Sequence, residues 1–328
     1  MPELDLIMPR ARLAELCRGA TVVTTRPAVF TIAGPGALTC LQGLLTNDLM
    51  QPGEGSLVYG ALLTPKGMIV VDAWVLRGGH TLTMIVPETG REAALEIFRR
   101  SLPPRLARVT DGGEDTRVAW ILGDHGFHTL AQSGIRTPEA AGRVAPASDQ
   151  VAETMVALAP ERAPFVALLA GPTAEVEALA GRLVAAGARA GEQTDLHAHR
   201  ILAGWPALGV EIDERTLPQE VRYDEIGGVS YTKGCYTGQE TVARVHFRGH
   251  TNRELRGMLW DDPGAPESRE IVAGGKEVGS VRSTLTLEDR TLGLGMVRRE
   301  VEPGDKVVAG GRPALVVRLP FAAESVAA

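Results

Sequence analysis

The chain alternates short apolar runs with breaks rich in glycine and proline. Residues 28–33 (Ala-Val-Phe-Thr-Ile-Ala) predict a strand, and Gly34-Pro35-Gly36 turns it into a helix with Leu38, Leu41 and Leu45 on one face. Cys40 sits beside that stripe as a small core residue. Apolar runs at 57–63 and 68–76, parted by Thr64-Pro65-Lys66-Gly67, predict a hairpin. A strand over 81–86 follows. Thr89 and Glu92 then form a capping box for a helix carrying Ala93, Ala94, Ile97 and Phe98. Residues 110–116 predict a polar loop, 117–122 and 165–170 two strands, and 134–149 an irregular excursion. Apolar positions 176, 179, 180, 183 and 184 predict a helix over 173–186.

One joint recurs: Ile32-Ala33-Gly34-Pro35, Ile121-Leu122-Gly123-Asp124 and Ala170-Gly171-Pro172 each end a strand and open a helix, which suggests a repeated α+β unit. The final stretch differs. Helical spacing disappears, and alternation at Leu255, Gly257 and Leu259, with a turn at Glu302-Pro303-Gly304-Asp305, predicts an antiparallel barrel or small sandwich. The boundary falls near residue 250, giving a first region over 1–250 and a C-terminal β-barrel over 251–328.

Composition adds limits. The 328 residues carry 34 basic and 40 acidic side chains, a net charge of −6, so no general field attracts nucleic acid or an anionic membrane, although a local basic pocket is allowed. No apolar run approaches the ~20 residues of a membrane span. Met1-Pro2-Glu3-Leu4-Asp5 lacks the features of a signal peptide. Cys17, Cys40 and Cys235 are odd in number and far apart, which points to a reducing compartment, the cytoplasm, and to no disulfide framework. A monomer is the simpler expectation for such a surface.

Several motifs carry no chemistry. The third glycine of a dinucleotide fingerprint starting at Gly34 would fall on Thr39. His197 and His199 point to different faces of a helix. His246 and His250 are four apart, but Gly249 intervenes and no third ligand is near, so no stable metal site is expected. Trp74, Trp120 and Trp205 read as core residues. Arg253, Arg256, Arg282, Arg298 and Arg299 read as a solvated surface of the barrel.

The chemistry concentrates in Lys233-Gly234-Cys235-Tyr236-Thr237-Gly238-Gln239-Glu240. Thr237 and Glu240 form a capping box, so a helix starts at Gly238 with Cys235 close to its positive end. Lys233 adds positive charge, and both effects favour thiolate over thiol. Gly234 and Gly238 let the backbone bend sharply around the cysteine. An isolated cysteine is also a common buried hydrophobe, and the residues alone leave both readings open.

These eight residues, continued by Thr241-Val242-Ala243-Arg244, resemble the K-G-C-Y-x-G-Q-E motif of the YgfZ family. Leu41-Gln42-Gly43, Leu45-Thr46-Asn47-Asp48 and Leu63-Thr64-Pro65-Lys66-Gly67 are similar to N-terminal stretches of that family and of aminomethyltransferases. The stretches 200–204 and 213–220 continue the likeness, which covers about residues 28–320. The resemblance implies an α+β, aminomethyltransferase-like fold of two intertwined α+β units plus a C-terminal antiparallel β-barrel around a central cavity that binds tetrahydrofolate. It places Asn47, Asp48, Lys66, Asp72 and Arg244 near that cavity or its rim. It implies a role in assembly or repair of iron–sulfur client enzymes, tRNA methylthiotransferases among them, with Cys235 as a transient cluster or sulfur ligand or a nucleophile, and no direct nucleic-acid contact. The rival implication is a folate-dependent aminomethyltransferase or other one-carbon transferase using Asp72. Against it, the Asp-Asp pair of the transferases is Val71-Asp72 here, and their pterin-facing Glu is Leu202.

Overall fold

The computed structural model describes residues 4–79, 81–148 and 153–322. The first three residues of the N-terminal reading and residue 149 of the predicted excursion lie outside them. Two sheets face each other. One has five antiparallel strands in the order Ser56–Leu63, Ile69–Arg77, Thr81–Val86, Ala28–Ala33 and Arg108–Asp111. The other has six, in the order Arg189–Ala190, Thr21–Thr25, Thr116–Leu122, Ala167–Pro172, Met155–Leu158 and Val144–Pro146.

The period of two along these strands decides what each face meets. From Ser56–Leu63, Leu57, Tyr59, Ala61 and Leu63 enter a central core shared with the second sheet. Val58 and Leu62 enter an outer core beneath the helices Ala37–Gln42 and Arg91–Ser101. In the second sheet Val118, Trp120 and Leu122 face the central core, while Ala119 and Ile121 face the helices Gly126–Gln132 and Thr173–Ala185. Both faces are covered, so these strands read as continuous apolar runs. All three strand–glycine–helix joints are present.

The third unit is a closed six-stranded barrel. Lys276–Thr286, Glu270–Ala273, Lys306–Ala309, Arg312–Val317, Arg253–Trp260 and Thr291–Arg298 follow in order, and the last pairs back with the first. Closure leaves an open stretch, Ser283–Thr286, on the side of Lys276–Thr286 that Glu270–Ala273 does not reach. The barrel has its own core around Met258, Trp260 and Val316, and gives Leu255, Leu285 and Leu294 to the central one. Leu4–Ile7 pairs in parallel with Lys276–Thr286, so the chain's first strand belongs with the barrel and not with the region over 1–250.

Local expectations needed correction in four places. The helix Arg91–Ser101 is capped by Gly90 without any side-chain bond, because a short 3-10 turn, Glu88–Gly90, takes the place of the predicted box. The helix after Gly36 ends at Gln42, leaving Leu45 buried beyond it. Residues 110 and 111 extend a strand on the edge of Ala28–Ala33. Arg253 is no free surface group: it donates to Glu220 at 3.0 Å and pairs with Asp213, fastening the barrel to the 213–220 segment.

Candidate functional site

The segment after the helix Ala37–Gln42 folds on itself. Gln42 donates from Nε2 to Asp48 Oδ1 at 2.9 Å, and its Oε1 accepts from the Leu49 amide. Asp48 Oδ1 also accepts from the amides of Met50 and Gln51. Burial works against this carboxylate, but those N–H groups and the nearby Lys233 charge outweigh it and hold its pKa below the ordinary range. Asn47 donates to the carbonyls of Tyr59 and Gly227.

Residues 227–237 are stitched onto this segment. Thr46 Oγ1 donates to Gly228 O at 2.6 Å, Ser230 N to Thr46 O at 3.1 Å, and Thr237 N to Gly43 O at 3.1 Å. Lys233 is buried, and its ammonium donates to Gln42 O, Leu45 O and Asn47 O at 2.6, 2.7 and 2.9 Å. Its three protons are thereby all used. Lys233 therefore makes no hydrogen bond to Cys235. Burial pushes the ammonium down to about 8, opposed by the Asp48 carboxylate, so the group is still charged at neutral pH. Tyr236 is buried, with its ring 5.1 Å from Lys233 Nζ.

Cys235 is exposed, whereas Cys17 and Cys40 are half-buried. The following helix is Gln239–Arg248, capped by Gly238 at φ +82° with no side-chain cap bond. The predicted box at Thr237 and Glu240 is not formed: Thr237 is pinned to Gly43 and Glu240 is exposed. Gly238 is required here. A Cβ on it would lie 2.6 Å from Thr64 O, because the 64–67 turn packs against the helix start. Gly234 faces open space and has no such constraint.

A cavity of about 280 Å³ lies between the two stitched segments, lined by Asn47, Asp48, Tyr59, Ile226, Ser230 and Thr232 among others. Of the residues named from sequence, Asn47 and Asp48 line it. Lys66, at the turn tip, and Arg244, on the helix, are exposed and do not. Asp72 is buried behind Tyr59, whose hydroxyl donates to Asp72 Oδ2 at 2.9 Å and lies 3.1 Å from the Tyr223 hydroxyl. Trp74 and Trp205 stack beside them with centroids 5.6 Å apart. Asp72 Oδ1 has no partner, and burial pushes the carboxyl up to about 6 against the Tyr59 bond. Ser230, Thr232, Tyr59 and Ile226 carried no mark in the sequence, since only the fold brings them together.

Other features are structural. His246 stacks on Tyr231 at 3.6 Å and contacts Asp224, while His250 lies beyond the helix end, so the two share no face. Burial, with the Arg200 charge, pushes His197 down to about 4. Among the described residues no three His, Cys, Asp or Glu side chains gather to hold a metal ion, and no helix is long and apolar enough to cross a membrane. A larger cleft of about 710 Å³ beside the barrel is lined by four arginines and four glutamates, which leaves it without a net field.

Comparison with known proteins agrees with this geometry. The GCVT N-terminal domain family matches residues 24–143. The tRNA-modifying protein YgfZ of Escherichia coli O6:H1 is 29% identical over 284 residues, 84% of each chain. Its counterpart in Escherichia coli O127:H6 is 28% identical over the same share. The glycine cleavage system aminomethyltransferase T of Bartonella henselae superposes with a TM-score of 0.77 at 17% identity, over 97% of this chain and 91% of that one, which shows the fold. Across 84% of each chain the sequence is thus similar to the YgfZ proteins, and its three-unit fold is that of an aminomethyltransferase.

Proposed function

We propose that this protein binds tetrahydrofolate and assists the assembly or repair of iron–sulfur clusters in client enzymes, tRNA methylthiotransferases among them, through Cys235. One observation carries the proposal: the exposed thiol sits on a loop whose buried Lys233 is bonded to the wall of a small cavity. The names of its relatives support a link to tRNA modification. The acidic net charge of −6 favours a link through client enzymes over direct contact with tRNA.

The cavity suits a flat heteroaromatic ring with a polar edge. Leu57, Val58 and Ile226 give apolar walls, and Asp48, Ser230 and Thr232 give hydrogen-bonding groups. Asp48 has a second carboxylate oxygen that accepts no hydrogen bond among the described residues. When bound there, tetrahydrofolate supplies a reduced pterin able to carry a one-carbon group. The chain's own part is to orient that ring and to present one thiol. A cluster normally takes four ligands, so a client or assembly protein supplies the others. Three free cysteines suit work in a reducing cytoplasm. A one-carbon transferase needs a carboxylate beside the acceptor nitrogen. Asp72 is walled off by Tyr59, and this favours the accessory role.

The test is complementation. In a host lacking the gene, wild type restores methylthiolation of tRNA and Cys235→Ala does not, while both bind folate. Restoration by the alanine variant would sink the role of the thiol.

A further inference from the structure

We infer that Lys233 is a positioning residue that couples occupancy of the cavity at Asn47 and Asp48 to the presentation of the Cys235 thiol. This rests on the folate reading above, because it makes the cavity ligand the input and the thiol the output. Cys235 lies in a short arch with two feet. One foot is Lys233, bonded to three carbonyls of the 42–47 segment; the other is Thr237, whose amide bonds Gly43 O in the same segment. Between the feet, Gly234 and Cys235 are exposed, and nothing stands within 4 Å of the place where a Gly234 Cβ would be. Whatever displaces the 42–48 segment therefore moves both feet together.

The end of that segment, Asn47 and Asp48, is also part of the cavity wall. Gln42 supplies one of the three carbonyls from its backbone and holds Asp48 with its side chain, so the Lys233 ammonium is one residue removed from a lining carboxylate. The Asp48 and Lys233 charges attract each other across this short path. On the other side, Ser230 and Thr232 line the cavity immediately before Lys233. A ligand that braces Asp48 and Ser230 braces the clamp. Hydrogen bonds from a charged, buried ammonium are stronger than neutral ones, strong enough to transmit order and few enough to be released together. The lysine thus acts through backbone position, its three N–H groups all directed to the 42–47 carbonyls.

The experiment uses the full chain with 5-formyltetrahydrofolate as probe. Binding is followed by tryptophan fluorescence, loop order by hydrogen exchange over 234–238, and the thiol by its rate of alkylation with iodoacetamide. In wild type, saturating probe slows both exchange over 234–238 and alkylation about 5-fold or more. In Lys233→Met the probe still protects the lining segment 47–59 but leaves 234–238 and the alkylation rate unchanged. Should that variant fail to fold, Lys233→Gln, whose amide can still reach one carbonyl, shows a reduced effect, and an effect equal to wild type in that variant overturns the role of Lys233. Binding without any change at 234–238 overturns the coupling and leaves the folate reading intact. Equal coupling in wild type and Lys233→Met overturns the role of Lys233. No binding of the probe overturns the folate reading and the coupling with it.

Discussion

Asp72 is the least comfortable single residue in the central core. It alternates with apolar neighbours on Ile69–Arg77, and the period of two turns it inward with Trp74, opposite Ala61 and next to Tyr59. One oxygen is paid for by the Tyr59 hydroxyl and the other has no partner. Burial therefore raises the carboxyl from 3.8 to about 6. Between those values the folded chain keeps a proton that the unfolded chain has released. Stability is highest below the unfolded pKa, falls as pH rises through about 6, and is level above it, by on the order of 3 kcal/mol in all. Asp72→Asn keeps the bond from Tyr59 and removes that slope. Urea midpoints from about pH 4 to about pH 8 read the difference, and an Asn variant that keeps the wild-type decline would refute the assignment. The same variant retains client support under the accessory role. Loss of support in a stably folded Asp72→Asn protein would favour the transferase reading.

At the scale of elements, two glycines lock the 64–67 turn against the helix Gln239–Arg248. Gly67 has φ +87° and would place a Cβ 2.9 Å from Thr241, and Gly238 has φ +82° beside Thr64 O. Left-handed backbone costs an L-residue about 1–2 kcal/mol, and here a methyl group also meets backbone. Gly238→Ala lowers stability by about 2 kcal/mol or more, and it separates the turn from the helix. Gly234→Ala, in open space, costs less than half as much. Thermal unfolding of the two variants checks the ranking; equal losses would mean that the loop rearranges at Gly238 without strain.

For the whole molecule, a buried ionic network holds the barrel to the paired sheets. Arg200, on the helix Gln193–Ala203, donates to Glu211 and to Trp205 O at 3.0 Å, and to Ser283 Oγ on the barrel strand Lys276–Thr286. Ser283 and the Ala207 amide both donate to Glu211. Both charged partners are almost fully buried. Removing one partner of such a pair leaves an uncompensated charge and costs about 3–5 kcal/mol. Glu211→Ala therefore loses that much in urea unfolding, whereas a near-neutral result would show that water reaches Arg200. Arg222 reinforces the joint: it bonds the carbonyls of Gly204 and Leu319, on either side of it.

What the sequence determined by itself was local or repeated. Strand periods, the hairpin turn at Thr64-Pro65-Lys66-Gly67, the helix with Val176, Leu179 and Leu183 buried, and the motif around Cys235 all depend on neighbours within a few positions, where side-chain spacing and turn chemistry act directly. Two of the cavity's residues, Asn47 and Asp48, were reached through the resemblance. The rest depended on contacts that no local pattern encodes. Lys233 bonds carbonyls 186 to 191 residues away, and beside the cysteine in sequence it looked like a partner for the thiol. Thr237 has the residue type of a cap, but the helix starts one residue later than the sequence predicts, with Gly238 at the cap and the Thr237 amide on Gly43 O. Leu4–Ile7 joined the barrel because an edge of Lys276–Thr286 was available to pair. A buried polar group goes wherever its desolvation is best compensated. The tertiary fold alone decides where that is.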